Sequence, residues 1–153
     1  MKYLILLLLV SQSHASITAF YSSSTTHIGA SKFCDYIDNK FVHVDLNEDI
    51  DLIGLSYNDV YAGTFKNSHH VQSAFIAKKF TLPISKNVIL GMYGGGVYGY
   101  DLSVLGGDCY ADYESQLLPL VSPTISFEIN DIRVSALSMA NAISVVFEYK
   151  FKG

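Results

Sequence analysis

From Ile50 onward the chain alternates apolar and polar residues with a period of two, and turn residues separate the alternating runs. No stretch keeps apolar residues for long at the i, i+3, i+4, i+7 spacing of an amphipathic helix. The clearest run is the last, where Ile143, Val145, Phe147, Tyr149 and Phe151 share one face while Ser144, Glu148 and Lys150 share the other. Strands are predicted near Ile17 to Ser22, Ile50 to Tyr57, Val60 to Phe65, Val71 to Leu82, Val88 to Val97, Leu117 to Phe127, Ile132 to Ser138 and Ala142 to Phe151. The fold is therefore all-β, with eight strands.

One greasy face and one polar face leave two architectures open. A soluble sandwich buries the greasy face, whereas a membrane barrel turns it to lipid and keeps the polar face in its lumen. Composition tips the balance: charged residues make up 16% of the chain, Tyr and Phe are plentiful, and the last strand ends on Tyr149 and Phe151. Aromatic girdles and a closing aromatic strand suit a barrel in lipid. An even number of antiparallel strands closes without exposed edges, and in lipid closure is obligatory because every backbone amide needs an internal partner. The expectation is an eight-stranded antiparallel up-and-down outer-membrane β-barrel, the size of the smallest barrels.

The connections alternate in length, as such a barrel requires. Ser56 to Asp59, Pro83 to Asn87 and Glu128 to Asp131 are short, while Thr25 to Glu48 and Tyr98 to Gln116 are long. Short turns face the periplasm; the long loops, the tip Asn67-Ser68-His69-His70 and Ala140-Asn141 then share the outer rim. His27, Cys34, Asn67, Ser68 and Cys109 all fall on that rim.

The chain opens MKYLILLLLVSQSHAS, in which Lys2 precedes an apolar run from Tyr3 to Val10 and Ser13-His14-Ala15 follows the small-x-small cleavage rule. This reads as a secretory signal peptide over residues 1–15, because a membrane-spanning helix needs roughly 20 apolar residues. Residues 16–153 then form one barrel domain with no linker or solenoid repeat. The net charge of −4 and the lack of a Lys/Arg cluster argue against a nucleic-acid partner. Export exposes Cys34 and Cys109 to an oxidising compartment, where they either bridge or remain as two thiols.

Three features between Tyr61 and Phe151 carry a family resemblance. Tyr61-Ala62 precedes the tip Phe65-Lys66-Asn67-Ser68, and later come Leu117-Leu118-Pro119-Leu120-Val121-Ser122 and a last strand closing on Tyr149-Lys150-Phe151. In order and approximate spacing, Tyr61 to Phe151 resembles the outer-membrane lipid A palmitoyltransferases, the PagP family, which have Tyr-Ala before Phe-Lys-Asp-Ser, a Leu-Leu-Pro-Leu-Ala-Ser strand and a closing Phe-x-Phe. The amino-terminal part matches poorly: the family's amphipathic helix has no counterpart, and tryptophan is absent. The resemblance implies a monomeric outer-membrane enzyme without a cofactor, whose lumen holds one acyl chain. That chain passes from a phospholipid donor to a lipid A acceptor, and a strand gap near Pro119 and Pro123 admits lipid sideways. The family's functional residues, carried over by position, are His27, Asn67 and Ser68.

Moving an acyl group to a hydroxyl requires a base for the attacking oxygen's proton and a donor near the carbonyl where negative charge grows. An imidazole at His27 suits the first task, and the Ser68 hydroxyl suits a proton relay or the second. Asn67 stands where the family has Asp, and an amide offers no charge to a protonated imidazole. In a catalytic triad that swap lowers turnover by roughly four orders of magnitude. The alternative is a non-catalytic outer-membrane barrel that binds lipid or modifies the cell surface; a further one is a soluble exported barrel for a small apolar ligand. On sequence chemistry alone Asn67, Ser68, His69 and His70 also suit an ordinary solvated turn. His69-His70 lack Cys or carboxylate at metal-ligand spacing. The glycines of Gly91 to Asp101 are followed by neither the Lys-Ser/Thr nor the helix of a phosphate loop, and Gly94 to Gly96 read as lumen space or a tight bend.

Overall fold

The computed structural model describes residues 16–29, 32–37, 39–101 and 114–151. The leader reading for Met1 to Ala15 lies outside these residues, as does Cys109. Ten strands run in chain order: β1 (Ile17–His27), β2 (Lys32–Ile37), β3 (Lys40–Asp45), β4 (Asp49–Tyr57), β5 (Val60–Lys66), β6 (Gln72–Pro83), β7 (Val88–Tyr100), β8 (Gln116–Ile129), β9 (Ile132–Met139) and β10 (Ala142–Phe151). Eight of them close an antiparallel up-and-down barrel in the order β1-β10-β9-β8-β7-β6-β5-β4. The other two, β2 and β3, pair as a separate hairpin between β1 and β4.

That hairpin is where the chain departs from its alternation. The segment from Thr25 to Glu48, expected as loop, holds the end of β1 and both hairpin strands, so Cys34 sits on a strand. Its residues alternate too briefly and with too many charges for the pattern to show. Elsewhere the expected strands are present with ends moved by a few residues. Asn58 and Asp59 both take positive φ, at 46° and 65°, which is the two-residue hairpin turn whose twist suits the flanking strands.

The burial of alternate residues decides between the two architectures the pattern left open. Ile143, Val145, Phe147, Tyr149 and Phe151 of β10 face outward and are exposed, while Ser144, Val146 and Glu148 are buried. Leu117, Val121, Ile125, Phe127 and Ile129 do the same along β8. Fully buried residues include Ser22, Ser73, Ser122, Ser126 and Ser135. The molecule is thus greasy outside and polar over much of its lumen, the reverse of a soluble sandwich.

Two interior layers divide the lumen. At the end carrying the β4–β5 and β8–β9 turns, the Glu148 carboxylate accepts hydrogen bonds from Lys79 Nζ at 2.8 Å, the Tyr61 hydroxyl at 2.8 Å, Ser135 Oγ at 2.9 Å and Arg133 Nη1 at 3.2 Å. Arg133 also reaches Glu128, its Nε donating at 2.7 Å. The Lys79 and Glu148 side chains are 0% and 1% exposed, so neither charge is screened by water. Lys79 lies over the rings of Tyr61 and Tyr93, at 5.4 and 5.1 Å from their centroids. Above this cluster the inward residues turn apolar: Phe20, Ile50, Leu52, Phe65, Val97, Leu118 and Leu120. Gly54 is what lets Phe20 lie flat there, since a Cβ at that position would sit 2.2 Å from the Phe20 ring.

Glycines 94 to 96 resolve into two roles. At Gly95 β6 comes close, and a Cβ on it would meet the Ile76 carbonyl at 2.1 Å. At Gly94 a Cβ would make ordinary contact with the Phe80 ring, and at Gly96 it would first meet the end of the Leu117 side chain at 3.3 Å, so the tight approach to backbone belongs to Gly95.

Charge removal from the cluster has an ordered outcome. Glu148→Gln strips Lys79 of its carboxylate and destabilises by about 3–5 kcal/mol, whereas Lys79→Met leaves Glu148 with Arg133, Tyr61 and Ser135 and costs less. Denaturant unfolding of the detergent-solubilised barrel checks this; a larger loss for Lys79→Met contradicts the shared-carboxylate account.

Candidate functional site

A cavity of about 800 Å3 occupies the apolar layer of the lumen. Tyr61 and Tyr93 lie at its deep end, over the charged cluster, and His27, Asn67, Ser68, His69 and Asn141 line its mouth. Its wall holds Phe20, Leu52, Phe65, Leu118, Leu120, Leu137 and Met139. A long apolar group could lie in it with a polar end at the mouth.

His27 reaches that mouth because β1 changes phase. Thr18, Phe20 and Ser22 point inward at even positions, then Thr25 and His27 do so at odd ones. The register shows why: Tyr21 pairs with Phe147 and Thr25 with Ser144, so β1 advances four residues while β10 advances three. The extra residue is a bulge near Ser22 to Ser24, and a bulge re-aims every side chain beyond it. Without it His27 would point out of the barrel. Thr25 Oγ1 secures the shifted segment, donating to the Ile143 carbonyl at 3.0 Å and accepting from Ser144 Oγ at 2.9 Å.

Ser68 comes from the β5–β6 tip, and β5 is the second strand round the barrel from β1. His27 Nε2 and Ser68 Oγ lie 2.7 Å apart, a direct hydrogen bond across 41 residues of chain. With Nε2 as acceptor the serine hydroxyl donates, and the proton of the neutral imidazole is on Nδ1. That Nδ1 is buried and has no hydrogen-bond partner among the described residues. In a Ser-His-Asp arrangement a carboxylate occupies that place.

Asn67 does not fill it. Its side chain turns away to β7 and to its own tip, donating to the Gly99 carbonyl at 2.6 Å and accepting from the main-chain N–H groups of His69 and Val71 at 2.9 and 3.0 Å. The three residues expected to share chemistry are therefore two in contact and one bracing the loop. His69 also lines the cavity, its ring edge-on to Phe33 with centroids 4.5 Å apart. His70 faces the Asp45 carbonyl at 3.3 Å, and His43 lines the mouth from the hairpin.

The hairpin covers part of this mouth through Lys32, Phe33, Cys34 and His43. Cys34 is disulfide-bonded. The sequence contains one other cysteine, Cys109, which is among the residues not described.

The barrel wall opens on the β8 side. β9 pairs with β8 only from Thr124 to Ile129, although Ser138 and Met139 continue β9 above that point. Pro119 and Pro123, which have no N–H to give, lie in the stretch of β8 that β9 leaves unpaired. There Ser122 Oγ donates to the Ser138 carbonyl at 2.8 Å in place of a ladder bond. Pro119 and Val121, which lie on the outward side, also line the cavity, so it reaches the barrel's outer surface between these strands.

Several mouth residues carried no signal in the sequence. Asn47 and Asp101 are buried there, the latter accepting from the Glu114 N–H at 2.7 Å. Both sit in irregular chain, where alternation says nothing about direction. Lys79 and Glu148, by contrast, were readable: each occupies an inward phase of a strand whose outward phase is mostly apolar. No protein-family model matches the sequence, and no curated protein matches it.

The phase change gives a direct test. In the His27→Cys variant the new thiol faces the cavity mouth and reacts with a small charged thiol reagent. Deleting Ser23 as well turns it to the outer face, where detergent or lipid shields it. Equal labelling of the two proteins counts against the bulge as the element that aims His27.

Proposed function

We propose that this protein is an outer-membrane acyltransferase that moves an acyl chain from a phospholipid to lipid A or a related acceptor. One observation carries the reading: a His27–Ser68 hydrogen bond of 2.7 Å stands at the mouth of an apolar cavity of about 800 Å3. The exposed apolar belt supports placement in a membrane, since patches of that extent on a soluble monomer are rare. The leader-like Met1 to Ala15 supports export, and the closed barrel is compatible with the outer membrane. The resemblance of Tyr61 to Phe151 to the lipid A palmitoyltransferases agrees with the same chemistry.

In this reading the acyl chain enters between β8 and β9 and lies in the cavity with its ester at the mouth. His27 Nε2 takes the proton of the acceptor hydroxyl, directly or through Ser68 Oγ, as that oxygen attacks the ester carbonyl. The carbonyl oxygen becomes negative in the tetrahedral intermediate, and hydrogen-bond donors at the mouth lower its energy. Collapse forms the new ester and breaks the old one. The departing lysophospholipid oxygen takes the proton back from His27.

A second reading, a non-catalytic barrel that binds lipid or modifies the surface, is favoured by His27 Nδ1, which has no partner among the described residues. An imidazolium formed there has no carboxylate bonded to Nδ1 among the described residues, and Asn67 is an amide that points elsewhere.

Mass spectrometry of lipid A from cells with and without the gene separates the two. The first reading expects one additional acyl chain in the presence of the protein. His27→Ala or Ser68→Ala then lowers the rate by roughly a hundredfold or more while the barrel stays folded. An unchanged acyl count with a folded barrel in the membrane fraction leaves the binding reading.

A further inference from the structure

Two buried asparagines hold the tip that carries Ser68. Asn67 is 0% exposed and uses both ends of its amide, one against the Gly99 carbonyl on β7 and the other against two N–H groups of the tip. Asn47, in the link between β3 and β4, is buried beside it. Its Nδ2 donates to the carbonyls of Asp49 at 2.7 Å and Asn67 at 3.2 Å, and its Oδ1 accepts from the Asp49 N–H at 3.2 Å. Its main-chain N–H donates to the Ser68 carbonyl at 2.9 Å. Both peptide carbonyls flanking the Ser68 Cα are therefore bonded to Asn47, while Asn67 ties the same tip to β7.

We propose that Asn47 and Asn67 are positioning residues for Ser68, and that position 67 requires a neutral amide in this protein. The proposal rests on the acyl-transfer reading above. An amide carries donors on one end and an acceptor on the other, and this site uses both. A carboxylate has no donor, so Asp at 67 would set an oxygen against the Gly99 carbonyl oxygen, now 2.6 Å from Nδ2. In a buried place that leaves two acceptors facing each other without a proton between them. The tip would move, and Ser68 would leave the 2.7 Å contact with His27. A displacement of about 1 Å at a reacting group is enough to cost roughly a hundredfold in rate. The Asn that stands in place of the family's Asp thus exchanges a charge for a clamp.

The test uses the full barrel in detergent micelles, with a phospholipid carrying a labelled acyl chain as donor and lipid A as acceptor. Asn67→Asp, Asn67→Ala and Asn47→Ala each lower kcat by roughly ten- to a hundredfold, while KM for the phospholipid stays within about twofold. An Asn67→Asp protein as fast as wild type or faster overturns the proposal, because a restored carboxylate then helps. Hydrogen exchange on the same proteins reads the clamp without the reaction. In Asn67→Ala the amides of His69 and Val71 exchange about tenfold faster or more, and the strand amides of β5 and β6 keep their wild-type rates. Unchanged exchange at His69 and Val71 overturns the clamp whatever the acyl assay gives. A wild-type protein that transfers no acyl chain overturns the acyl-transfer reading and the catalytic role of the clamp with it; faster exchange in the variants would still place the two amides as the tip's fastening.

Discussion

The pairing of β1 with both β4 and β10 is the constraint from which the rest of the molecule follows. It removes the edge that an open sheet of alternating strands would present, and it separates two families of side chains that share every strand. Outward residues need only be compatible with their surroundings. Inward residues must fill a narrow lumen and satisfy one another, so a single change of polarity along the barrel divides it into working parts.

The polar part is organised around one carboxylate. Glu148 gathers Lys79, Tyr61, Ser135 and Arg133 from three other strands. A buried charge is costly unless it is paired and hydrogen-bonded, and here every neighbour contributes a donor. The same residues set the cavity's depth, since Tyr61 and Tyr93 are both the wall of the charged cluster and the deep end of the apolar space.

At the opposite end the barrel trades regularity for placement. A bulge in β1 turns Thr25 and His27 inward, β9 stops pairing with β8 beside two prolines, and an inserted hairpin leans over the mouth. Each irregularity lies at the rim, where closing the ladder is no longer needed to hold the sheet together. This is the region in which a histidine from β1 and a serine from the β5–β6 tip can meet, and in which irregular chain gives the clamp of Asn47 and Asn67 its anchoring points.

Alternation and turn chemistry in the sequence determined the eight barrel strands, their antiparallel order and the short turns, because a period of two with Asn, Asp and Gly between runs admits little else. The positions of His27 and Ser68 on one rim were legible as well. What the pattern left open was which face meets solvent: Phe147 and Glu148 alternate identically in a sandwich and in a barrel, and only closure of the sheet puts Glu148 inside. The direction of His27 depended on a one-residue bulge that no local run of Ser and Thr declares. Asn67 was legible as a tip residue and illegible as a clamp, because its partner on β7 is 32 residues away and meets it only after the barrel has closed. Sequence alone determined what each strand carries. Tertiary structure decided what those side chains face, because facing is a property of the closed sheet and not of any strand within it.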